Sequence, residues 1–129
     1  AKLNLKKGDP VKIQNNINRY LEKRNRTQPL NIPNSGSVFK NPIGGKAGRL
    51  IVEVGLKGYS FGDAGVSLKH ANFIVNKGNA KAEDVLKVIE QVVREVEYKT
   101  EIELETEIIV FGDISEIISR NNSRLQIEL

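Results

Sequence analysis

No cysteine, methionine or tryptophan occurs among the 129 residues, and histidine appears once, at position 70. The missing cysteines exclude disulfides and thiolate metal sites. A single histidine excludes a histidine-rich metal centre, so no metal site is expected. The absence of cysteine fits a reducing cytoplasm, the expected location. No apolar run is long enough to span a bilayer, and no secretion-signal pattern opens the chain, so no membrane partner is expected. The lack of any methionine, even at position 1, leads us to expect that these residues belong to a longer protein. Trimming of an initiator before Ala1 is the other reading.

Charge of one sign is also scarce. Lysine and arginine number 20 against 16 acids, a net charge of +4. The acids interleave with the bases, especially over 83–107, so no clustered cationic face announces a nucleic acid partner. A mild positive balance suits a small anionic ligand equally well. The length suits one domain.

What is present reads as a mixture of helices and non-alternating strands, an α+β fold with a mixed or antiparallel sheet packed against two main helices. Residues 2–7 alternate and predict a short strand. Gly8-Asp9-Pro10 predicts a helix start, with Asp9 as N-cap and Pro10 first in the helix. Val11, Ile17, Tyr20 and Leu21, with Ile13 beside them, form a rough apolar stripe to about Arg24. Within 46–58 both a short helix and a strand are possible; the helix is favoured, with Gly55 as its cap. Residues 64–76 predict one or two strands. Val85, Leu86, Ile89, Val92, Val93 and Val96 mark the clearest helix, 82–98. Residues 101–112 predict a strand whose even positions are mostly apolar and whose odd positions change from acidic to apolar after Glu107. The tail, 113–129, has the isoleucines for a short helix.

Two residues carry candidate chemistry. Glu107 reads first as a solvated strand glutamate. Its boundary position, beside Ile109, offers a second reading as a partly desolvated general acid. Ser37 reads first as a turn serine. Its setting, "NSGSVFKNPIGG" (34–45), also suits a hydroxyl held by glycine-shaped backbone over an apolar anchor. In an extended chain one of Val38 and Phe39 faces the core, and Ser37 and Phe39 share the other face. Lys40, Lys57, Arg49 and His70 are cations or donors near glycine-rich backbone, each equally readable as an ordinary surface or structural residue. The glycines of "GLKGYSFGDAG" match no phosphate-loop pattern.

Taken in order, "QPLNIPNSGSVFKNP" (28–42), "AGRLIVEVGLKG" (47–58), "SLKHANFIVNKGNAKAEDVLKVI" (67–89) and "IELETEIIVFG" (102–112) resemble the C-terminal domain of the UDP-N-acetylenolpyruvoylglucosamine reductase (MurB) family. The resemblance spans about residues 1–112 and leaves 113–129 as a tail. It implies the substrate-binding, proton-donating domain of an oxidoreductase that makes UDP-N-acetylmuramate for peptidoglycan. Its partners would be UDP-N-acetylglucosamine enolpyruvate and NADPH, with FAD bound mainly by domains absent from this chain. It further implies catalytic roles for Ser37, which protonates the carbon alpha to the carboxylate, and for Glu107. It implies substrate contacts for Asn41, Lys57, His70 and Lys40. The family's catalytic arginine has no position here, and no residue of this chain is expected to bind the cofactor. Asp63 and Lys81 depart from the family pattern, at a turn and at a helix cap. The rival reading is a stand-alone, non-catalytic module binding a sugar nucleotide or another anion.

Overall fold

The computed structural model describes residues 2–111 and 126–128. The first helix, α1, runs Pro10–Thr27, and Asp9 caps it as expected. Its carboxylate accepts from the backbone N–H groups of Val11 (2.9 Å) and Lys12 (3.3 Å), which the helix itself leaves unbonded. No residue of α1 is buried. The stripe Val11, Ile13, Ile17, Tyr20 and Leu21 lies exposed. Lys69 donates from Nζ to the Asn25 carbonyl at 2.6 Å, placing a cation at the helix's C-terminal end. The strand predicted over 2–7 does not form. A strand needs a neighbouring edge for its backbone groups, and among the described residues none pairs with it.

Four strands build one antiparallel sheet in the order β1-β4-β3-β2. They are β1 (Asn34–Ser37), β2 (Ser60–Phe61), β3 (Ala64–Val66) and β4 (Phe73–Asn76). Phe73, Ile74 and Val75 are all buried, as befits a strand covered on both faces. Asp63, in the turn between β2 and β3, accepts from the Asn79 N–H at 2.8 Å through its carboxylate and from the Lys77 N–H at 2.8 Å through its carbonyl. The departure at position 63 thus ties two neighbouring turns together.

Between β1 and β2 lies α2 (Ala47–Glu53), so helix rather than strand wins in this segment. Gly55, at φ 83°, turns the chain out of it. Its N–H reaches the Val52 carbonyl and that of Leu56 reaches Ile51, each at 3.0 Å, closing the left-handed cap that glycine adopts without strain.

The long helix α3 (Ala82–Thr100) buries Leu86, Ile89, Val92, Val93 and Val96 and lies against β2, β3 and α2. Each such side chain contributes about 1.5–3 kcal/mol on leaving water, which offsets the weak helix propensity of the valines. Lys81 occupies the N-cap, where its side chain can offer no acceptor. Asp84 compensates by reaching back to the Lys81 N–H at 2.9 Å.

The segment after α3 departs from the regular strand predicted over 101–112. Regular pairing is confined to β5 (Ile109–Phe111), joined in parallel to β6 (Gln126–Glu128), with an isolated antiparallel bridge between Thr106 and Phe39. The alternation itself survives. Leu104 and Thr106 are buried, Ile102, Ile108 and Val110 half-buried, and Glu101, Glu103, Glu105, Glu107 and Ile109 exposed. The helix expected within 113–129 falls on residues outside the described ones, apart from the β6 strand.

Candidate functional site

The segment that follows β1 is expected from the sequence as a glycine-shaped turn in which one of Val38 and Phe39 faces the core. It is instead an interior run of chain, hydrogen-bonded along both edges. On one edge the Val38 N–H donates to the Asn72 carbonyl at 2.9 Å. On the other the Lys40 N–H donates to the Glu105 carbonyl (2.8 Å), and the Glu107 N–H donates to the Val38 carbonyl (2.7 Å). Val38 and Phe39 are both 1% exposed and both belong to the core. Ser37 and Phe39 therefore do not share an outer face. Once both edges are paired, both faces of the segment meet apolar residues.

This pairing brings the two candidate acids together. Ser37 and Glu107 line one open cleft of about 500 Å³, with Ser35, Ile108 and Ile109 completing the wall. Ser37 is half-buried and Glu107 exposed, which fits the first reading of Glu107, a solvated glutamate, better than the partly desolvated one. Among the described residues neither the Ser37 hydroxyl nor the Glu107 carboxylate is engaged in a hydrogen bond or an ion pair. Two hydroxyls and a carboxylate beside two isoleucines can bind a mixed polar and apolar ligand and hold protons at its surface. Gly36, at φ 86°, bends β1 just before Ser37, where the register with β4 is irregular.

The four expected substrate contacts do not line this cleft. Asn41 accepts from the Ala47 N–H at 3.1 Å, so its carbonyl oxygen serves the start of α2. Lys40 forms an exposed ion pair with Glu105. Lys57 is exposed in the turn between Gly55 and Gly58. Half-buried His70 accepts from the Asn72 N–H at 3.3 Å through Nδ1 and sets its ring at 66° to Phe73, centroids 4.7 Å apart. Burial holds the His70 imidazole below its ordinary 6.5, partly offset by a backbone hydrogen bond. Strand register nonetheless puts these segments at one end of the sheet. Ser37 pairs with Phe73, the Phe73 carbonyl accepts from Ser67, and the Val66 carbonyl accepts from Gly58, next to Lys57.

Sequence reasoning missed Ser35 and Asn72. Ser35 was legible, because it stands two residues from Ser37 and a strand repeats its faces with period two. Asn72 is 5% exposed, and no local pattern marks an asparagine for burial. The other buried polar residues, Ser67 and Thr106, adjoin the same region. Ser67 Oγ accepts from the Lys69 and His70 N–H groups and shapes the His70 turn. Among the described residues no buried side-chain nitrogen or oxygen lacks a partner. Among the described residues none forms a cluster able to hold a metal ion, and no helix is long and apolar enough to cross a membrane.

Comparison with known proteins gives the family. Residues 28–111, well over half of the chain, match the family model described as UDP-N-acetylenolpyruvoylglucosamine reductase, C-terminal domain. The chain is 49% identical over 113 residues to UDP-N-acetylenolpyruvoylglucosamine reductase of Clostridium tetani, covering 88% of this chain and 37% of that protein. It is 49% identical over 108 residues to UDP-N-acetylenolpyruvoylglucosamine reductase 2 of Symbiobacterium thermophilum, covering 84% and 35%. The crystal structure of UDP-N-acetylenolpyruvylglucosamine reductase (MurB) from Thermus caldophilus superposes with a TM-score of 0.67 at 43% identity, covering 82% of this chain and 38% of that one. The chain thus spans little more than a third of the length of these relatives, and within that third it belongs to the UDP-N-acetylenolpyruvoylglucosamine reductase C-terminal domain family.

Proposed function

We propose that this chain forms the substrate-facing, proton-donating side of a reductase that converts UDP-N-acetylglucosamine enolpyruvate to UDP-N-acetylmuramate. The observation that carries the proposal is the single cleft shared by Ser37 and Glu107. Reducing an enolpyruvyl double bond adds a hydride to the outer carbon and a proton to the carbon alpha to the carboxylate. Enolate character develops between the two additions and is quenched by an acid on the protein. Ser37 Oγ is the group that gives the proton to the alpha carbon, and Glu107 helps to stabilise or protonate the enolic intermediate in the same cleft. Ser35 adds a second hydroxyl for the substrate's oxygens, while Ile108 and Ile109 exclude water from one side.

The family resemblance also implies FAD and NADPH. The cleft lining has no cation to meet a pyrophosphate and no glycine-rich turn at a helix start, so it suits neither a dinucleotide nor the substrate's own diphosphate, and what it takes is the enolpyruvyl end. The flavin and the nicotinamide would be held by parts of the protein other than the described residues. What this chain supplies is the acid side of the reduction.

A backbone NMR titration of the chain with UDP-N-acetylglucosamine enolpyruvate tests this reading. Shifts gathered at Ser35, Ser37 and Glu107 are the expected result. No shift at millimolar ligand, or shifts gathered elsewhere, would count against it; in the second case the chain would read as a binding module of another kind.

A further inference from the structure

One buried residue makes four hydrogen bonds to the segments that carry the candidate acids and the histidine. Asn72 accepts from the Phe39 N–H through Oδ1 at 2.9 Å and donates from Nδ2 to the Phe39 carbonyl at 2.8 Å. Its own carbonyl accepts from the Val38 N–H at 2.9 Å, and its own N–H donates to His70 Nδ1 at 3.3 Å. The side chain thus does for Phe39 what a neighbouring strand would do, meeting donor and acceptor of one residue with a carboxamide. Phe39 stands between Val38 and Lys40, whose backbone groups pair with Glu107 and Glu105. Fixing Phe39 from one side therefore fixes where Ser37 and Glu107 stand on the other.

We propose that Asn72 is the positioning residue of this site: its carboxamide, clamped across both backbone groups of Phe39, sets the Ser37 strand against Glu107 and couples it to the His70 loop. The role in the reaction rests on the reading of Ser37 and Glu107 given above; the clamp itself does not. The chemistry allows few substitutes. The site needs one acceptor and one donor, side by side and uncharged. A carboxylate offers two acceptors and would set a negative charge against the Phe39 carbonyl. A protonated carboxyl group offers one of each and reproduces the pair.

That difference provides the test, made on the full chain with Asn72→Asp and Asn72→Ala. Amide hydrogen exchange is read as protection factors, which remove the intrinsic effect of pH. In Asn72→Asp at pH 7, protection of Phe39, Lys40 and Glu107 is expected to fall at least tenfold, while that of Ile89 and Val92 in α3 holds. Lowering the pH toward 4 restores protection at those three amides in Asn72→Asp but not in Asn72→Ala, each measured against the unsubstituted chain at the same pH. Uniform loss across α3 and the site, unfolding of both variants, or no change at Lys40 and Glu107 would overturn the proposal. Adding UDP-N-acetylglucosamine enolpyruvate to the unsubstituted chain separates the two claims. A clamp confirmed by exchange in a chain that does not bind this ligand leaves the positioning geometry standing and removes the reaction assigned to it.

Discussion

The Glu107 N–H donates to the Val38 carbonyl at 2.7 Å, and this bond joins the strand after Ser37 to the segment that ends the long acidic alternation. It is the shortest backbone link between the two walls of the cleft, and it carries no side chain of either candidate acid. Side-chain substitutions at Ser37 and Glu107 can therefore be made without cutting it.

Ser37→Ala in a complete reductase carrying this segment should lower kcat by about 10²–10⁴-fold, the usual worth of a positioned acid. The melting temperature of this chain should hardly change, because the Ser37 hydroxyl has no partner among the described residues. Steady-state kinetics beside a thermal melt distinguishes loss of a proton donor from loss of fold.

Gly36→Ala isolates a backbone effect. A Cβ at Gly36 would meet nothing within 4 Å, so no clash follows. The backbone at φ 86° is nevertheless unfavourable for any L side chain, and a cost of about 1–2 kcal/mol is expected. Chemical denaturation of the variant checks it; an unchanged midpoint would mean that the bend at 36 relaxes.

Lys40→Ala decides between two roles. An ion pair as exposed as Lys40–Glu105 contributes at most about 1 kcal/mol, so stability should barely move. If Lys40 holds the pair and no substrate, KM of the complete enzyme should also stay within about twofold. A KM raised tenfold would place it in the substrate-binding set.

His70 gives the chain a pH dependence of definite sign. Its folded-state value lies below the ordinary 6.5, so the unfolded chain binds a proton first as pH falls. Stability is therefore full above pH 6.5 and declines as pH drops through the window between 6.5 and the folded value. Protonation would also end the acceptance at Nδ1 of the Asn72 N–H. Urea midpoints across pH 5.5–7.5 should slope downward toward acid in the unsubstituted chain and less so in His70→Gln.

Deleting residues 1–27 should leave the sheet intact. No α1 residue is buried, and the Lys69–Asn25 hydrogen bond links it to the rest of the fold, whereas Pro29 just beyond it is buried. A proton–nitrogen correlation spectrum with the resonances of β3, β4 and α3 in place is the expected outcome. Collapse of that spectrum would show that the helix supports the core.

Where local pattern and tertiary demand coincide, the sequence was readable. The caps at Asp9 and Gly55 and the valine stripe of α3 all follow from neighbours in the chain. The alternation over 101–110 fixed which side chains are buried but not whether a regular strand forms, because pairing depends on what lies alongside. For the same reason residues 2–7 failed as a strand. Ser37 and Glu107 were singled out by their local setting and given roles by family resemblance, while their shared cleft depends on contacts between distant segments. Asn72 was invisible because its importance lies in two hydrogen bonds to a residue far away in the chain. No spacing rule encodes that.

The order in which a chain is synthesised gives the Val38–Glu107 pairing a last consequence. Ser37 leaves the ribosome long before Glu107 does. Until residues 105–107 arrive, the edge formed by Val38 and Lys40 offers unpaired backbone groups beside two large apolar side chains, the kind of edge on which other chains can assemble. A chain terminated before Glu105 would therefore be both siteless and adhesive. Completion of the cleft and protection from aggregation occur in the same step, so a molecule that stays dispersed is one whose two walls have met.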